Sequence, residues 1–459
     1  LKRAQSFRPP AQKSCRELAA EILTRVDVDR AYADILLDQT LKYASLAGPD
    51  RGLLTEIVYG TLRWRGWIDW ILARVLTRPL EKLNPFLRNV LRAGLYQMLC
   101  LKRVPEYAVV NEAVELAKRF GGQETAGMMN AVLRRAAREK AAFHLPDAAL
   151  NPAAYLAARW SHPEWLVRKW LDDFSFAHTE ALLQANNEEA SLVVRANRLK
   201  TGAETLVEQF RAGGFEGTAG RWSPQAVQLN PGARVAELPG FREGLFQVQG
   251  EASQIVAYLL RPQPGERVLD ACAAPGGTTT HLAELMEDKG EVIAADLSQR
   301  GLEKVKENMH RLGITSVRCF AADVTQRLEG PLSRPYDRIL VDAPCSGLGT
   351  LRSHPEIKWH RGPEDIERLV RVQRKILHNV LRYLKQGGVL VYATCTLTRE
   401  ENETLIAEVL RSERGLMPED AAKYLPEQAR GMVSGKYFTA LPHRHDTDGF
   451  FAARIKKVD

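Results

Sequence analysis

Residues 266–282 read ERVLDACAAPGGTTTHL. ERVLDAC has the short apolar run of a buried strand, and Gly276–Gly277 interrupt it. Small residues and glycines let the backbone approach a ligand closely, and the helix that follows opens with free N–H groups. Strand, tight loop and helix in that order begin an α/β unit. GEVIAAD (290–296), SVRCFAAD (316–323), DRILVDAP (337–344) and GVLVYATC (388–395) repeat the strand pattern with helices between, and GFFAARI (449–455) reads as one more strand. The alternation predicts a parallel, doubly wound sheet, an α/β fold of Rossmann-like type.

Ligands of such sheets bind beyond the carboxyl ends of the strands. Asp270, Asp296, Asp323, Asp342, Cys345 and Cys395 fall at or just after those ends, so they should line one rim. The glycine loop is not G-x-G-x-x-G and is not followed by Gly-Lys-Ser/Thr, which argues against a dinucleotide or a Walker A phosphate cradle. Asp296 stands twenty residues after Gly276, where an acid takes ribose hydroxyls. Asp323 is placed for an exocyclic amine. The expected ligand is an adenosine without a pyrophosphate, a description that S-adenosylmethionine fits.

DAPCSG (342–347) and ATCT (393–396) put two cysteines at neighbouring strand ends. A methyl donor needs a nucleophile, and C5 of cytosine is a poor one. Adding a thiolate to C6 makes C5 nucleophilic, and the adduct must later expel that thiolate. Two cysteines can divide this work, one attacking and one assisting breakdown. Asp342 is placed to hydrogen-bond the base at N3 and its amine. The plainer reading of any single cysteine is a small buried hydrophobe. It suits Cys15 and Cys100 in helical stripes and Cys319 in mid-strand, while Cys272 reads as scaffold for the loop.

The whole chain of 459 residues is long enough for about three domains. Hydrophobic residues make up 45% and charged residues 26%, as in ordinary soluble proteins. No apolar run reaches the ~18 residues of a membrane span, and no signal peptide is evident. None of the six cysteines lies in a C-x-x-C pair and no histidine cluster accompanies them, so neither a metal nor a disulfide framework is expected. A reducing cytoplasm and a monomer fit best.

Charge is uneven. Residues 1–140 hold 24 Lys+Arg against 15 Asp+Glu, and the remainder 40 against 41. A basic block of this kind suits nucleic acid, although a basic helical domain without that role would look the same. Residues 14–138 read as six or so helices. SCRELAAEILTRV opens with a capping box, Ser14 and Glu17, before Leu18, Ile22 and Val26 recur at helical spacing. Trp64, Trp67 and Trp70 read as core. Arg134 and Arg135 end a helix, where RNA contact is possible but the macrodipole also favours cations. The organisation expected is an all-helical domain (1–143), a helical connector (144–187), a small α+β module (188–245) and the doubly wound domain (246–459).

DACAAPGG, DAPCSGLGT, HPEIKW and YATCTLTREENE resemble the motifs of the RNA cytosine-C5 methyltransferases, and RHDTDGFFAARI resembles their closing strand. LLTEIVYGTLRW, LRAGLYQML, VNEAVELAK and NAVLRR resemble the NusB-like RNA-binding domain. The fusion is similar to the bacterial 16S rRNA methyltransferases of the RsmB (Sun/Fmu) type. The resemblance implies that Cys395 is the nucleophile and that Cys345 assists release. It implies that Cys272, Ala273, Ala274, Pro275, Gly276, Gly277 and Thr278, with Asp296, Asp323 and Asp342, hold S-adenosylmethionine and the target base. It implies an RRM-like central module, and 16S rRNA or an assembling small subunit as partner. The family's loop usually continues with lysine; here position 278 is Thr, which could instead cap the helix. Arg352, Lys358 and Trp359, after DAPCSG, are expected to contact RNA. A tRNA enzyme would share the catalytic domain, a binding protein on a dead methyltransferase fold would not need both cysteines and the acids, and an oxidoreductase would want the missing glycine fingerprint.

Overall fold

The computed structural model describes residues 13–139, 143–230 and 233–458, so the first twelve residues of the expected helical domain lie outside the described residues. The chain divides into two compact units, one running to Asn187 and including His354–His360, the other made of Glu188–Ser353 and the chain from Arg361 onward.

The first unit is helical: α1 (Cys15–Asp29), α2 (Ala33–Tyr43), α3 (Gly48–Val75), α4 (Pro85–Cys100), α5 (Glu106–Glu139), α6 (Pro152–Trp160), α7 (Glu164–Asp173) and α8 (Phe176–Ala185). α1 starts where the capping box places it, with Ser14 Oγ accepting from Glu17 N–H at 3.2 Å. α5 is broken at Gly122, so the expected number of helical stretches is found. Ala19, Ile22, Leu23 and Val26 of α1 bury against Leu54, Ile57 and Val58 of α3. Full burial of each large side chain is worth roughly 1.5–3 kcal/mol. Trp64, Trp67 and Trp70 pack half-buried against the second cluster of this unit, around Leu91, Leu95 and Leu133.

The expected connector is part of this unit rather than a linker. Ser161, just after α6, accepts from Gly66 N–H of α3 at 2.9 Å. Some of the basic charge is also spent inside. Arg92 is buried between Asp69, at 2.7 Å, and Asp27, at 3.0 Å. Burial would raise the Asp27 carboxyl, but Arg65, Arg92 and Arg88 outweigh it and hold it at about 2.

The second unit begins with β1 (Leu192–Ala196), α9 (Ala203–Ala212), β2 (Gly217–Ala219), β3 (Ala226–Leu229) and β4 (Phe246–Val248), an antiparallel sheet in the order β2-β3-β1-β4. Val194, Ala196, Val227 and Phe246 of the sheet bury against Leu206 and Phe210 of α9. The module's last strand lies just past the expected border at 245.

The larger domain follows: α10 (Glu251–Leu260), β5 (Arg267–Asp270), α11 (Gly277–Leu285), β6 (Glu291–Asp296), α12 (Gln299–Leu312), β7 (Val317–Ala321), β8 (Tyr336–Asp342), α13 (Ile357–His360, counted with the first unit), α14 (Pro363–Val380), β9 (Leu384–Thr394), α15 (Glu403–Ser412), β10 (Leu416–Glu419), β11 (Val433–Ser434), β12 (Tyr437–Ala440), α16 (Pro442–His445) and β13 (Phe450–Lys457). The strand order is β11-β12-β13-β9-β8-β5-β6-β7, with β10 on β13. β5 to β9 are parallel, as expected. β13 is antiparallel to β9, and β10, β11 and β12 pair antiparallel too, so the sheet is mixed. Strands joined by short connections, as β11 to β12, can pair only antiparallel. Both faces are covered. Val268, Leu340 and Val391 face one apolar layer with α10, α11 and α12. Leu269, Ile339 and Tyr392 face the other with α14 and α15.

Candidate active site

The register of the sheet explains the two cysteines. Asp342 at the end of β8 lies beside Ala393 of β9, so Cys345 and Cys395 leave adjacent strands within three residues of that rung. Their sulfurs are 3.3 Å apart and both are free thiols. Gly349 N–H donates to Cys395 O at 2.9 Å and accepts at its own carbonyl from Gly449 N–H at 2.7 Å. A Cβ at Gly349 would stand 2.1 Å from Gly449 O, so only glycine lets these three segments close on one another.

Four carboxylates ring this edge. Asp270 is buried and accepts from Thr279 Oγ1 at 2.6 Å. Asp296 accepts from Ala274 N–H at 3.0 Å with one oxygen and from Ser298 N–H at 2.8 Å with the other, bracing the glycine loop. Asp323 is exposed and caps Thr325 through N–H and hydroxyl, at 2.9 and 2.7 Å. Asp342 is half-exposed to solvent yet closely walled by protein; burial, then the Asp270 carboxylate, push its carboxyl up to about 7. Asp270 is pushed to about 6, first by burial. None of the four makes an ion pair among the described residues. Crowded acids without cations suit a positively charged ligand, so the residues fit S-adenosylmethionine, whose sulfonium would relieve them.

The loop from Cys272 to Thr278 supplies the backbone of that cradle. Gly276 takes φ 100° at the N-cap of α11, a conformation a side chain would strain. Ala273 is buried. Thr278 does not cap the helix, because the cap position belongs to Gly276; its hydroxyl instead accepts from Gln249 Nε2 at 3.4 Å. Arg195 of β1, fully buried, donates to Gly277 O at 2.8 Å and pairs with Glu284 of α11 at 2.6 Å, tying the small module to this helix. Burial and the surrounding acids hold the Cys272 thiol well above its ordinary value. Cys395 is also raised, first by its hydrogen bond with Cys345, then by burial and by Asp342 and Asp448.

Three expected RNA contacts are not available for that task. Lys358 is fully buried in the first unit, its ammonium donating to Arg63 O at 2.8 Å, Ser161 O at 3.0 Å and Asn187 Oδ1 at 3.0 Å. Trp359 Nε1 donates to Leu62 O at 2.8 Å. Arg352 is buried and pairs with Asp446 at 2.7 Å, so its charge is already answered. Arg134 and Arg135 lie on an exposed stretch of α5, Arg134 bonded to Asn130 and Arg135 to Glu139.

Sequence reasoning gave no role to Ser346 and Thr396, next to the cysteines, to Glu401 and Asn402, which hydrogen-bond to those neighbours, or to Asp448, whose carboxylate helps raise the Cys395 thiol. Their signal was present: Glu401 and Asn402 lie inside YATCTLTREENE, and Asp448 lies inside RHDTDGFFAARI. Among the described residues no helix is long and apolar enough to cross a membrane.

Comparison with known proteins agrees with this architecture. Residues 257–456 match the model of the 16S rRNA methyltransferase RsmB/F family, 13–138 the NusB family, and 162–236 the ferredoxin-like domain of the RsmF/B-like methyltransferases. The chain is 38% identical to the probable ribosomal RNA small subunit methyltransferase B of Bacillus subtilis, across 97% of this chain and 99% of that one. It is 34% identical to the ribosomal RNA small subunit methyltransferase B of Proteus mirabilis, across 96% and 98%. The crystal structure of PH0851 superposes with a TM-score of 0.82 at 26% identity, covering 99% of this chain and all 100% of that one. The NSun6 protein of Pyrococcus horikoshii, solved with SFG, gives 0.58 at 26% identity over 65% of this chain and 98% of its own. The small module expected to be RRM-like is thus matched by a ferredoxin-like domain, and the chain, an rRNA methyltransferase, belongs to the ribosomal RNA small subunit methyltransferase B family.

Proposed function

We propose that the protein moves the methyl group of S-adenosylmethionine to C5 of one cytosine in 16S rRNA through a covalent cysteine adduct. The observation that carries this reading is the pair of thiols 3.3 Å apart, beside Asp342 at adjacent strand ends. S-adenosylmethionine, bound by the 272–278 loop with Asp296 and Asp323, supplies a methyl group on a cationic sulfonium.

Cys395 attacks C6 as a thiolate. The C5=C6 electrons shift to C4=C5, and the displaced C4=N3 pair takes a proton at N3 from the Asp342 carboxyl. C5 then forms its bond to the methyl carbon as the methyl–sulfur bond breaks, leaving a neutral thioether. Cys345 relays the C5 proton away, C5=C6 re-forms, Cys395 leaves as thiolate, and N3 returns its proton. The raised Asp342 carboxyl suits a donor to N3 near neutral pH. The target base must leave its stack to reach this rim, which favours a loop or flipped cytosine. Arg134 and Arg135 contact phosphate, and the enzyme acts as a metal-free cytoplasmic monomer on 16S rRNA or the assembling small subunit.

The test is nucleoside analysis of unmodified 16S rRNA after incubation with the protein and labelled S-adenosylmethionine. All label should appear as 5-methylcytidine. Label in any other nucleoside, or 5-methylcytidine formed only when tRNA is offered, would overturn the reading.

A further inference from the structure

Two adjacent side chains hold both cysteine loops, and neither has a place in the chemistry above. The Glu401 carboxylate is fully buried. Its Oε1 accepts from Ser346 N–H at 2.8 Å and Gln373 Nε2 at 2.9 Å; its Oε2 accepts from Ser346 Oγ at 2.6 Å and Thr398 Oγ1 at 2.7 Å. No cation pairs with it among the described residues. A buried carboxylate without a counter-ion is costly, and here four donors on two oxygens stabilise it. Because Ser346 gives its hydroxyl hydrogen to Glu401, the 2.7 Å contact between Ser346 and Thr396 must have Thr396 as donor. A directed chain therefore runs from Thr396, beside Cys395, through Ser346, beside Cys345, to Glu401.

Asn402 grips the other loop on both sides of its cysteine. Its Oδ1 accepts from Thr394 Oγ1 at 2.6 Å, and its Nδ2 donates to Thr396 O at 3.0 Å. The bonds to residues 394 and 396 fix the backbone that carries Cys395.

We infer that Glu401 and Asn402 are positioning residues with separate duties, Glu401 setting the Cys345 loop for adduct breakdown and Asn402 setting Cys395 for attack. The inference rests on the covalent reading proposed above. A carboxylate is required at 401, because the amide of glutamine accepts at one atom only and turns a donor toward two existing donors. Small displacements of reacting groups cost large factors in rate.

The test uses the full chain and compares Glu401→Gln, Asn402→Ala and Cys345→Ala, with Ser346→Ala as a milder probe of the same chain should Glu401→Gln fail to fold. Each is assayed for thermal unfolding, RNA affinity, turnover, and RNA–protein adduct on a denaturing gel. Glu401→Gln should keep its RNA affinity and KM, lose about tenfold or more in kcat, and accumulate adduct as Cys345→Ala does. Ser346→Ala should do the same to a lesser degree. Asn402→Ala should accumulate none, and added to Cys345→Ala it should lower the trapped band. Adduct in Cys345→Ala but in neither Glu401→Gln nor Ser346→Ala would overturn this inference alone. No adduct in Cys345→Ala would overturn the covalent reading and this inference with it.

Discussion

At the scale of the residue, the proposed mechanism sets Asp342 and Cys395 against each other. The protonated carboxyl is the form that donates to N3, and it declines as pH rises past about 7. The thiolate is the form that attacks, and it grows with pH, because the Cys395 thiol is raised by Cys345, burial and nearby carboxylates. The productive pair, acid at 342 and thiolate at 395, is a minor state. Its population rises tenfold per pH unit below about 7, then stays level until the thiol itself ionises. Methyl transfer at subsaturating S-adenosylmethionine, where kcat/KM reports the groups of the free enzyme, should follow that shape, a rise and a plateau. In Asp342→Asn the carboxyl no longer titrates, so the rate should drop about 100-fold or more at neutral pH and keep climbing where the wild type is level. A plateau in both proteins at the same pH would show that another group sets it. This pairing was half legible in the sequence. DAPC and TCT announced two thiols and an acid at one rim, but the 3.3 Å separation depends on the register of β8 against β9, which no motif encodes.

At the scale of the element, the segment His354–His360 is the clearest departure from what the sequence says. Lys358 and Trp359 follow a catalytic motif, and a lysine with a tryptophan there reads naturally as an RNA contact. The structure counts this segment with the helical unit and gives every donor of Lys358 to an oxygen of that unit. His360 Nε2 meets Val26 O at 2.9 Å in the same unit. A carbonyl cage is built from residues some 170 to 295 positions away, so composition and spacing could not reveal it. Lys358→Met should leave buried acceptors unanswered and destabilise the helical unit by about 1–3 kcal/mol, seen as a lower unfolding temperature. RNA affinity measured below that temperature, and its salt slope, should stay unchanged. A phosphate contact would do the opposite, lowering affinity and the slope by about one with stability intact. The parallel strands, by contrast, were legible because buried strands read as unbroken apolar runs. β10, β11 and β12 were missed, being two to four residues long with mixed polarity.

At the scale of the molecule, the chain combines a NusB-family helical part, a ferredoxin-like module and a methyltransferase sheet. The order of these parts was legible from motif and periodicity. Their borders were not: the helices of 144–187 read as a connector, yet hydrogen bonds such as Gly66 N–H to Ser161 Oγ place them in the first unit. The basic surplus of the first third reads as a block suited to nucleic acid, whereas part of it, Arg92, is committed to buried acids. In the proposed function these parts serve one chemical event, an RNA cytosine joined for a moment to Cys395 and freed with the help of Cys345. The most direct measurement is a denaturing gel of wild type, Cys345→Ala and Cys395→Ala, each incubated with labelled S-adenosylmethionine and unmodified 16S rRNA. The account predicts labelled free RNA from wild type, a denaturation-resistant RNA–protein band from Cys345→Ala, and neither from Cys395→Ala. A trapped band from Cys395→Ala, or full methylation by it, would contradict the account.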